Sequence, residues 1–249
     1  MTLALVAPWP RGESWRVRRF PETRVSVVSA LASDDAATRE RATAVVIAAY
    51  RTPVIAVLQR RWDLSIEDAE DLAHDFFAQA LARDWLSRYD SGKGRFRTFL
   101  RTCLLAFAAT AHESANRQKR GGGFDHLSID DAFAVAVDDE ITDTFDQEWT
   151  RSVLSLALDA LRRDCEEHGR LSTWQVFEAY DVEGNETDNR PTYAALSKQL
   201  DIPATQITNY LNWARRRFRE HVLATLRELT ASDAEYRDEV RSMLGVTVS

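Results

Sequence analysis

Residues 65–77 read SIEDAEDLAHDFF, and this stretch predicts a helix with two unlike faces. Ser65 is placed to cap the helix, and the acids of the first turn suit the positive end of the helix dipole. One face is apolar and repeats at intervals of three and four. Its members are Ala69, Leu72, Ala73, Phe76, Ala80 and Leu81. A stripe of this kind needs a core to pack against, so we expect the helix to lie on the surface of a larger helical domain.

The neighbouring face of this helix is acidic, and it carries Asp68, Asp71 and Asp75. No Lys or Arg lies between Arg61 and Arg83 to neutralise these carboxylates. The pattern predicts a negatively charged surface that binds either a basic partner or a metal ion.

Composition favours an almost wholly helical protein. Of the 249 residues 45% are hydrophobic, which is enough to build a well-buried core in one large or two small domains. Glycine and proline are few, with 9 and 6 residues, and no run of alternating β-branched residues suggests a strand. The predicted fold class is therefore all-α.

Neither the cysteines nor the N-terminus points to an oxidising or membrane environment. Cys103 and Cys165 lie in helical patterns without a second ligand at metal spacing, which predicts buried thiols. The short apolar run near the N-terminus is broken by Pro8 and Pro10, and no stretch reads as long enough to cross a membrane. We expect a cytoplasmic protein.

The formal net charge of −7 conceals a strong segregation of charge. Residues 93–120 contain seven basic residues and one acid, whereas residues 121–150 contain nine acids and no Lys or Arg. A basic block attracts phosphates whatever the charge of the whole chain, so nucleic acid is a candidate partner.

The chain divides by pattern into five segments. An irregular leader occupies residues 1–20, and a helical domain follows at 21–120, with helices at 36–58, bent or interrupted near Pro53, and at 96–118. Three glycines at 121–123 begin an acidic linker at 121–147. A second helical domain spans 148–228, and a helical tail spans 229–249.

The second domain contains a helix-turn-helix pattern. A short helix at 192–200, a tight turn at 201–203 and a longer helix at 204–222 have the spacing of that motif. The exposed side of the second helix carries side chains able to bond base edges or phosphates: Thr205, Gln206, Thr208, Asn209, Asn212, Arg215, Arg216 and Arg217. The alternative is an amphipathic helical hairpin with a solvated arginine face.

Three blocks in this order resemble the extracytoplasmic-function sigma factors of the bacterial sigma-70 family. They are DAEDL at 68–72 with DFF at 75–77, then FRTFL at 96–100 leading to NRQKR at 116–120, then LDI at 200–202 through ARRRFRE at 214–220. The resemblance covers about residues 20–244. It implies a two-domain promoter-specificity subunit, with no catalytic residue and no cofactor.

By this resemblance, the first domain binds core RNA polymerase and the minus-ten promoter element. The acidic helix docks on the clamp helices of the largest polymerase subunit through Asp68, Asp71, Leu72, Asp75 and Phe76. The loop and basic helix after it open the DNA and hold the single strand, which assigns this role to Tyr89, Lys93, Arg95, Arg97, Arg101, Asn116, Arg117, Lys119 and Arg120. Cationic grooves and aromatic faces suit this task, and Trp85, Tyr89, Phe96 or Phe99 could stack on bases.

The second domain, by the same resemblance, sits on the flap of the other large polymerase subunit and places its second helix in the minus-thirty-five element. The acidic linker then threads through the polymerase cleft, although a solvated tether explains its composition equally well. An anti-sigma factor or another regulatory protein is a further partner that the resemblance allows.

Two other classes of function stay open at this point. In a metal-dependent enzyme, Asp71, His74 and Asp75 would share one helix face as ligands. A free-standing helix-turn-helix regulator would bind a palindrome as a dimer, but it leaves the acidic helix and the basic block without a role.

Overall fold

The structure is a computed structural model that describes residues 26–118, 139–184 and 190–245. Within these ranges the chain forms helices and connections, with no strand. The all-α prediction is confirmed for them. The leader at 1–20, the first part of the predicted linker at 121–138 and the last four residues lie outside the described residues.

The described residues group into two units. The N-terminal unit comprises the described residues up to Ser152 together with Glu228–Tyr236, and the C-terminal unit comprises Val153–Arg227 and residues from Arg237 onward. The boundary falls inside a helix rather than at residue 148, and the predicted tail contributes to both units.

The described part of the N-terminal unit contains four helices, a short 3₁₀ turn, the first part of a fifth helix and the segment Glu228–Tyr236. The elements are α1 (Val27–Ala30), α2 (Ala36–Trp62), α3 (Ile66–Ala82), the 3₁₀ turn Leu86–Arg88, α4 (Phe96–Gln118) and the start of α5 (Asp139–Glu167). Helix α2 packs against α1, α3 and α4. The side chain of Asp35 caps α2 by accepting a hydrogen bond from the Thr38 amide.

Helix α2 continues through Pro53 to Trp62, so it is not interrupted there, and the predicted bend at Pro53 stays a prediction. A proline costs about 3 kcal/mol in a helix interior. Val46, Ala49 and Val54 are fully buried on one side of this helix, and their burial offsets that cost.

Helix α2 is also the one described helix that is long and apolar enough to cross a membrane, which corrects the expectation that no stretch qualifies. More than half of its apolar window is buried inside the protein. A core helix of a soluble protein passes the same test, so this helix is weak evidence for a membrane span.

Residues 139–147 form the first turns of α5, so the predicted linker is wrong for these residues. Ile141, Phe145 and Trp149 repeat at intervals of four and are almost completely buried, while the acids between them face outward or form ion pairs. Tyr50 of α2 stacks on both Phe145 and Trp149, with ring centroids 6.2 and 6.4 Å away. The high density of acids concealed this amphipathic pattern.

The C-terminal unit contains the predicted helix-turn-helix. Its elements are the remainder of α5, α6 (Leu171–Phe177), a π-helical turn Glu178–Glu183, α7 (Tyr193–Leu200), α8 (Ala204–Glu228) and the end of α9 (Asp233–Leu244). A buried cluster joins α6, α7 and α8 through Val176, Leu196, Ile202, Ile207 and Leu211. Asp201, at the turn, adopts the left-handed conformation with φ 54°, which ends α7 and lets α8 begin three residues later.

Candidate functional site

The acidic face of α3 (Asp68, Asp71 and Asp75) is exposed. Ser65 caps the helix, since its hydroxyl accepts a hydrogen bond from the Asp68 amide at 3.1 Å and donates one to the Asp68 carboxylate at 2.7 Å. In the described ranges, Asp71 and Asp75 form no ion pair. Glu70, by contrast, pairs with Arg51 at 3.0 Å. Two carboxylates of this face therefore remain available to a partner.

Phe76, which was predicted to contact the polymerase, is fully buried. Its ring packs against Phe77, Trp85 and Phe107, with centroids 5.1 to 6.5 Å away. This corrects the prediction that Phe76 contacts a partner, because it belongs to the apolar stripe that holds α3 on the core. Leu72 is half-buried at the edge of that stripe.

Among the described residues, His74 and its neighbours Asp71 and Asp75 do not assemble a metal site with other side chains. No group of three or more His, Cys, Asp or Glu side chains that could hold a metal ion occurs among the described residues. The metal-enzyme alternative therefore finds no third or fourth ligand in this part of the chain.

The loop before α4 presents cations at its surface. Lys93 is exposed and lies 3.9 Å from the Asp90 carboxylate, while Arg95 is half-buried. The Tyr89 hydroxyl donates a hydrogen bond to the Gly94 carbonyl at 2.8 Å, which ties the two ends of the loop together. This hydrogen bond is one of the loop's own contacts.

Of the four rings predicted to be able to stack on bases, two lie in the core. Trp85 and Phe96 are buried, and Phe96 is fully so. Tyr89 and Phe99 are half-buried and contact each other, with ring centroids 5.6 Å apart. The candidates for base stacking therefore narrow to these two rings.

Arg97 and Arg101 do not belong to an open basic surface, which corrects their predicted role. Their side chains are 9% exposed, and their Nη1 atoms lie 3.2 and 3.6 Å from the same carboxylate oxygen of Asp146. The Arg97 guanidinium also lies over the Trp149 ring, 5.0 Å from its centroid. The pKa of Arg101 lies below its ordinary value, because burial lowers the pKa more than the nearby Asp146 carboxylate raises it.

Glu235 is a buried residue beside this loop that sequence reasoning missed. Its carboxylate accepts hydrogen bonds from the backbone amides of Phe96 at 2.7 Å and Ala231 at 2.8 Å, and it lies 3.3 Å from the Tyr89 hydroxyl. Glu235 therefore caps α4 from a segment distant in sequence. No local pattern could have indicated that contact.

The remaining residues predicted to contact the minus-ten element lie at or beyond the end of α4. Asn116 and Arg117 belong to its last turns. Lys119 and Arg120 lie outside the described residues.

The start of α8 exposes a row of polar side chains, as predicted. Thr205, Gln206, Thr208, Asn209 and Asn212 are all exposed, opposite the buried Ile207 and Leu211. Arg216 is exposed too, and it forms no ion pair with any residue in the described ranges.

Arg215 and Arg217 are half-buried and held by carboxylates of their own unit. Arg215 makes two hydrogen bonds to Asp181, at 2.7 and 2.9 Å, and Arg217 bonds Asp164 at 2.7 Å. Hydrogen bonding to these carboxylates raises the pKa of both guanidinium groups. Their positive charge is largely neutralised internally, so they are weaker candidates for phosphate contacts than Arg216.

Asp164 is a buried hub that the sequence did not suggest. Besides Arg217, it contacts Nε2 of His221 at 3.3 Å and Nδ1 of His168 at 3.0 Å. Burial acts to raise the pKa of Asp164, but hydrogen bonds from Arg217 and His221 outweigh it, and the pKa lies below its ordinary value.

The chain matches no known family model, no curated protein and no solved structure.

Proposed function

We propose that this protein is an alternative sigma factor that binds core RNA polymerase in the cytoplasm and directs promoter recognition, DNA melting and transcription initiation. It needs no cofactor and has no catalytic residue. The proposal rests on the sequence resemblance together with the arrangement of surfaces in the two units.

The observation that carries the proposal is the exposed polar row of α8. A helix that follows a tight turn, buries Ile207 and Leu211, and exposes amide and hydroxyl side chains near its start suits major-groove reading. Asn209 and Asn212 can bond base edges, and Arg216 adds a phosphate contact. This helix is the proposed reader of the minus-thirty-five element.

The N-terminal unit supplies the feature that favours a sigma factor over a free-standing regulator. Asp71 and Asp75 are exposed, negatively charged and without an ion pair in the described part of the chain, which suits docking on a basic protein surface. We propose that these residues bind the clamp helices of the polymerase and that the C-terminal unit binds the flap. Lys93, Arg95, Tyr89 and Phe99 would then hold the melted minus-ten strand.

The double substitution Asp71→Arg with Asp75→Arg tests the docking assignment. We expect it to abolish the complex with core polymerase and promoter-dependent run-off transcription, while circular dichroism and duplex DNA binding stay unchanged. The matched control is Asp143→Arg with Asp159→Arg, which changes the net charge equally at two exposed carboxylates of α5.

Normal run-off transcription by the Asp71→Arg, Asp75→Arg protein would contradict the docking assignment. A wild-type protein that binds duplex DNA as a dimer and forms no salt-sensitive complex with core polymerase would be a helix-turn-helix regulator instead.

A further inference from the structure

The segment 89–101, here called the cationic block, is held by two carboxylates that lie outside it. Asp146 of α5 contacts Arg97 and Arg101, and Glu235 of α9 contacts the Phe96 amide and the Tyr89 hydroxyl. All of these residues belong to the N-terminal unit. Two acidic groups thus engage the polar groups of one short stretch.

Both carboxylates occupy positions that suit phosphate. Arginine guanidinium groups bind carboxylate and phosphate through the same donors. The amide at the start of a helix is likewise a general anion-binding group, and here Glu235 receives the hydrogen bond of Phe96 at 2.7 Å. Each carboxylate therefore fills a place that a DNA strand could compete for.

Glu235 is anchored firmly in this position. Leu229, Thr230 and Tyr236 in the same segment are buried, and Glu235 itself is 7% exposed. Its carboxylate also accepts the Ala231 amide, which fixes the segment's own turn. The segment 228–236 is thus a built part of the N-terminal unit.

We propose that Asp146 and Glu235 form an acidic latch that occupies the cationic block when DNA is absent and is displaced by the phosphates of a single strand. The inference rests on the proposed function, because it takes the cationic block as the strand-binding element. Displacement exchanges one anionic ligand for another of the same kind, so the two buried arginines need not remain without a counter-charge. The latch lowers the affinity of the free protein for single-stranded DNA.

The test is the affinity of the full chain for a labelled single-stranded oligonucleotide, measured by fluorescence anisotropy over a salt series. The latch variant is Asp146→Asn with Glu235→Gln, and its matched control is Asp143→Asn with Asp238→Asn, exposed carboxylates of the same two helices. We expect the latch variant to bind about tenfold more tightly at low salt. Two more phosphate contacts should steepen its salt slope by about 1.4.

Adding Arg97→Gln and Arg101→Gln to the latch variant should return the slope to the wild-type value. Equal slopes and affinities for the latch variant and its control would overturn the latch. That outcome leaves the proposed function intact, because binding to core polymerase tests the proposed function independently.

Hydrogen exchange on the wild-type protein gives a second readout that requires no variant to fold. The backbone amides of Phe96 and Ala231 both donate hydrogen bonds to the Glu235 carboxylate. If the latch opens, a saturating oligonucleotide should therefore raise the hydrogen-exchange rate of the Ala231 amide. Bound oligonucleotide with unchanged protection at Ala231 would overturn the proposal.

Discussion

Arg97 and Arg101 of α4, and Arg215 and Arg217 of α8, are each paired with a carboxylate of their own unit, but the buried partner is the cation in α4 and the anion in α8. In α4 the cations are the buried partners. The side chains of Arg97 and Arg101 are 9% exposed, whereas that of Asp146 is 34% exposed. The carboxylate is the partner that solvent can reach.

In α8 the anions are the buried partners. The side chains of Asp181 and Asp164 are 9% exposed, whereas those of Arg215 and Arg217 are 39% and 35% exposed. The arginines of this chain therefore occur in two structural arrangements, as the buried partner of an exposed carboxylate or as the exposed partner of a buried one. When the exposed partner of an ion pair is removed, the buried partner keeps its charge but has neither water nor a counter-ion beside it. The burial of each partner therefore determines which substitution is the more costly.

The largest effect is expected at Trp149, over whose ring Arg97 lies. Trp149→Ala should lower the free energy of unfolding by about 3–5 kcal/mol, because it removes a large side chain that is 1% exposed. Trp213→Ala is the control, since its half-buried ring also carries an arginine, Arg170, at 4.7 Å. Urea denaturation should show a much smaller loss for it, and equal losses would contradict the contrast in burial.

The next largest loss of stability is expected when a carboxylate is removed from an ion pair whose arginine is buried, and a smaller loss when the arginine is exposed. Asp146→Ala removes the carboxylate that both buried guanidinium groups contact and should cost about 3 kcal/mol. Asp181→Ala removes the carboxylate that Arg215 contacts, but water can reach this guanidinium, so the loss should be about 1 kcal/mol. Denaturation under identical conditions measures both changes. A larger loss of unfolding free energy for Asp181→Ala than for Asp146→Ala would contradict the prediction that the burial of the remaining arginine sets the cost.

The local elements were the predictable part of this structure, and the long-range contacts were not. Helix α4 begins at Phe96, as its spacing predicts, and the helix-turn-helix has its turn at Asp201. Apolar periodicity encodes both features within a few residues. Glu235, by contrast, reaches Phe96 across 139 positions, and nothing near either residue indicates the other.

The same limit explains the errors at the candidate site. Arg97 and Arg101 read as a basic surface because their partner, Asp146, lies in a stretch that read as an acidic linker. Phe76 read as both core and contact residue, and only burial distinguishes the two roles. A sequence gives the type of each charge, but not its partner or its exposure.

Asp164 should make the stability of the C-terminal unit depend on acid. Its pKa in the folded protein lies below the ordinary value of 3.8, so its stabilising contribution is complete well above that pH and is lost as the pH falls through the folded pKa. Asp164→Asn should remove this dependence. Urea denaturation between about pH 5 and about pH 2 should show the wild-type and variant stabilities converging as the pH falls. Parallel curves would contradict the assignment.

The smallest effect concerns Arg216 of α8, which forms no ion pair with any residue that the structure describes. Arg216→Ala should reduce the slope of log affinity against log salt for promoter duplex by about 0.9, the value for one lost phosphate contact. Arg215→Gln should change the slope less, because Asp181 already neutralises that guanidinium in the free protein. Arg163→Ala, an exposed arginine of α5, is the control for net charge. If Arg216→Ala and Arg163→Ala change the slope equally, long-range charge alone explains the binding, and α8 does not place Arg216 against a phosphate.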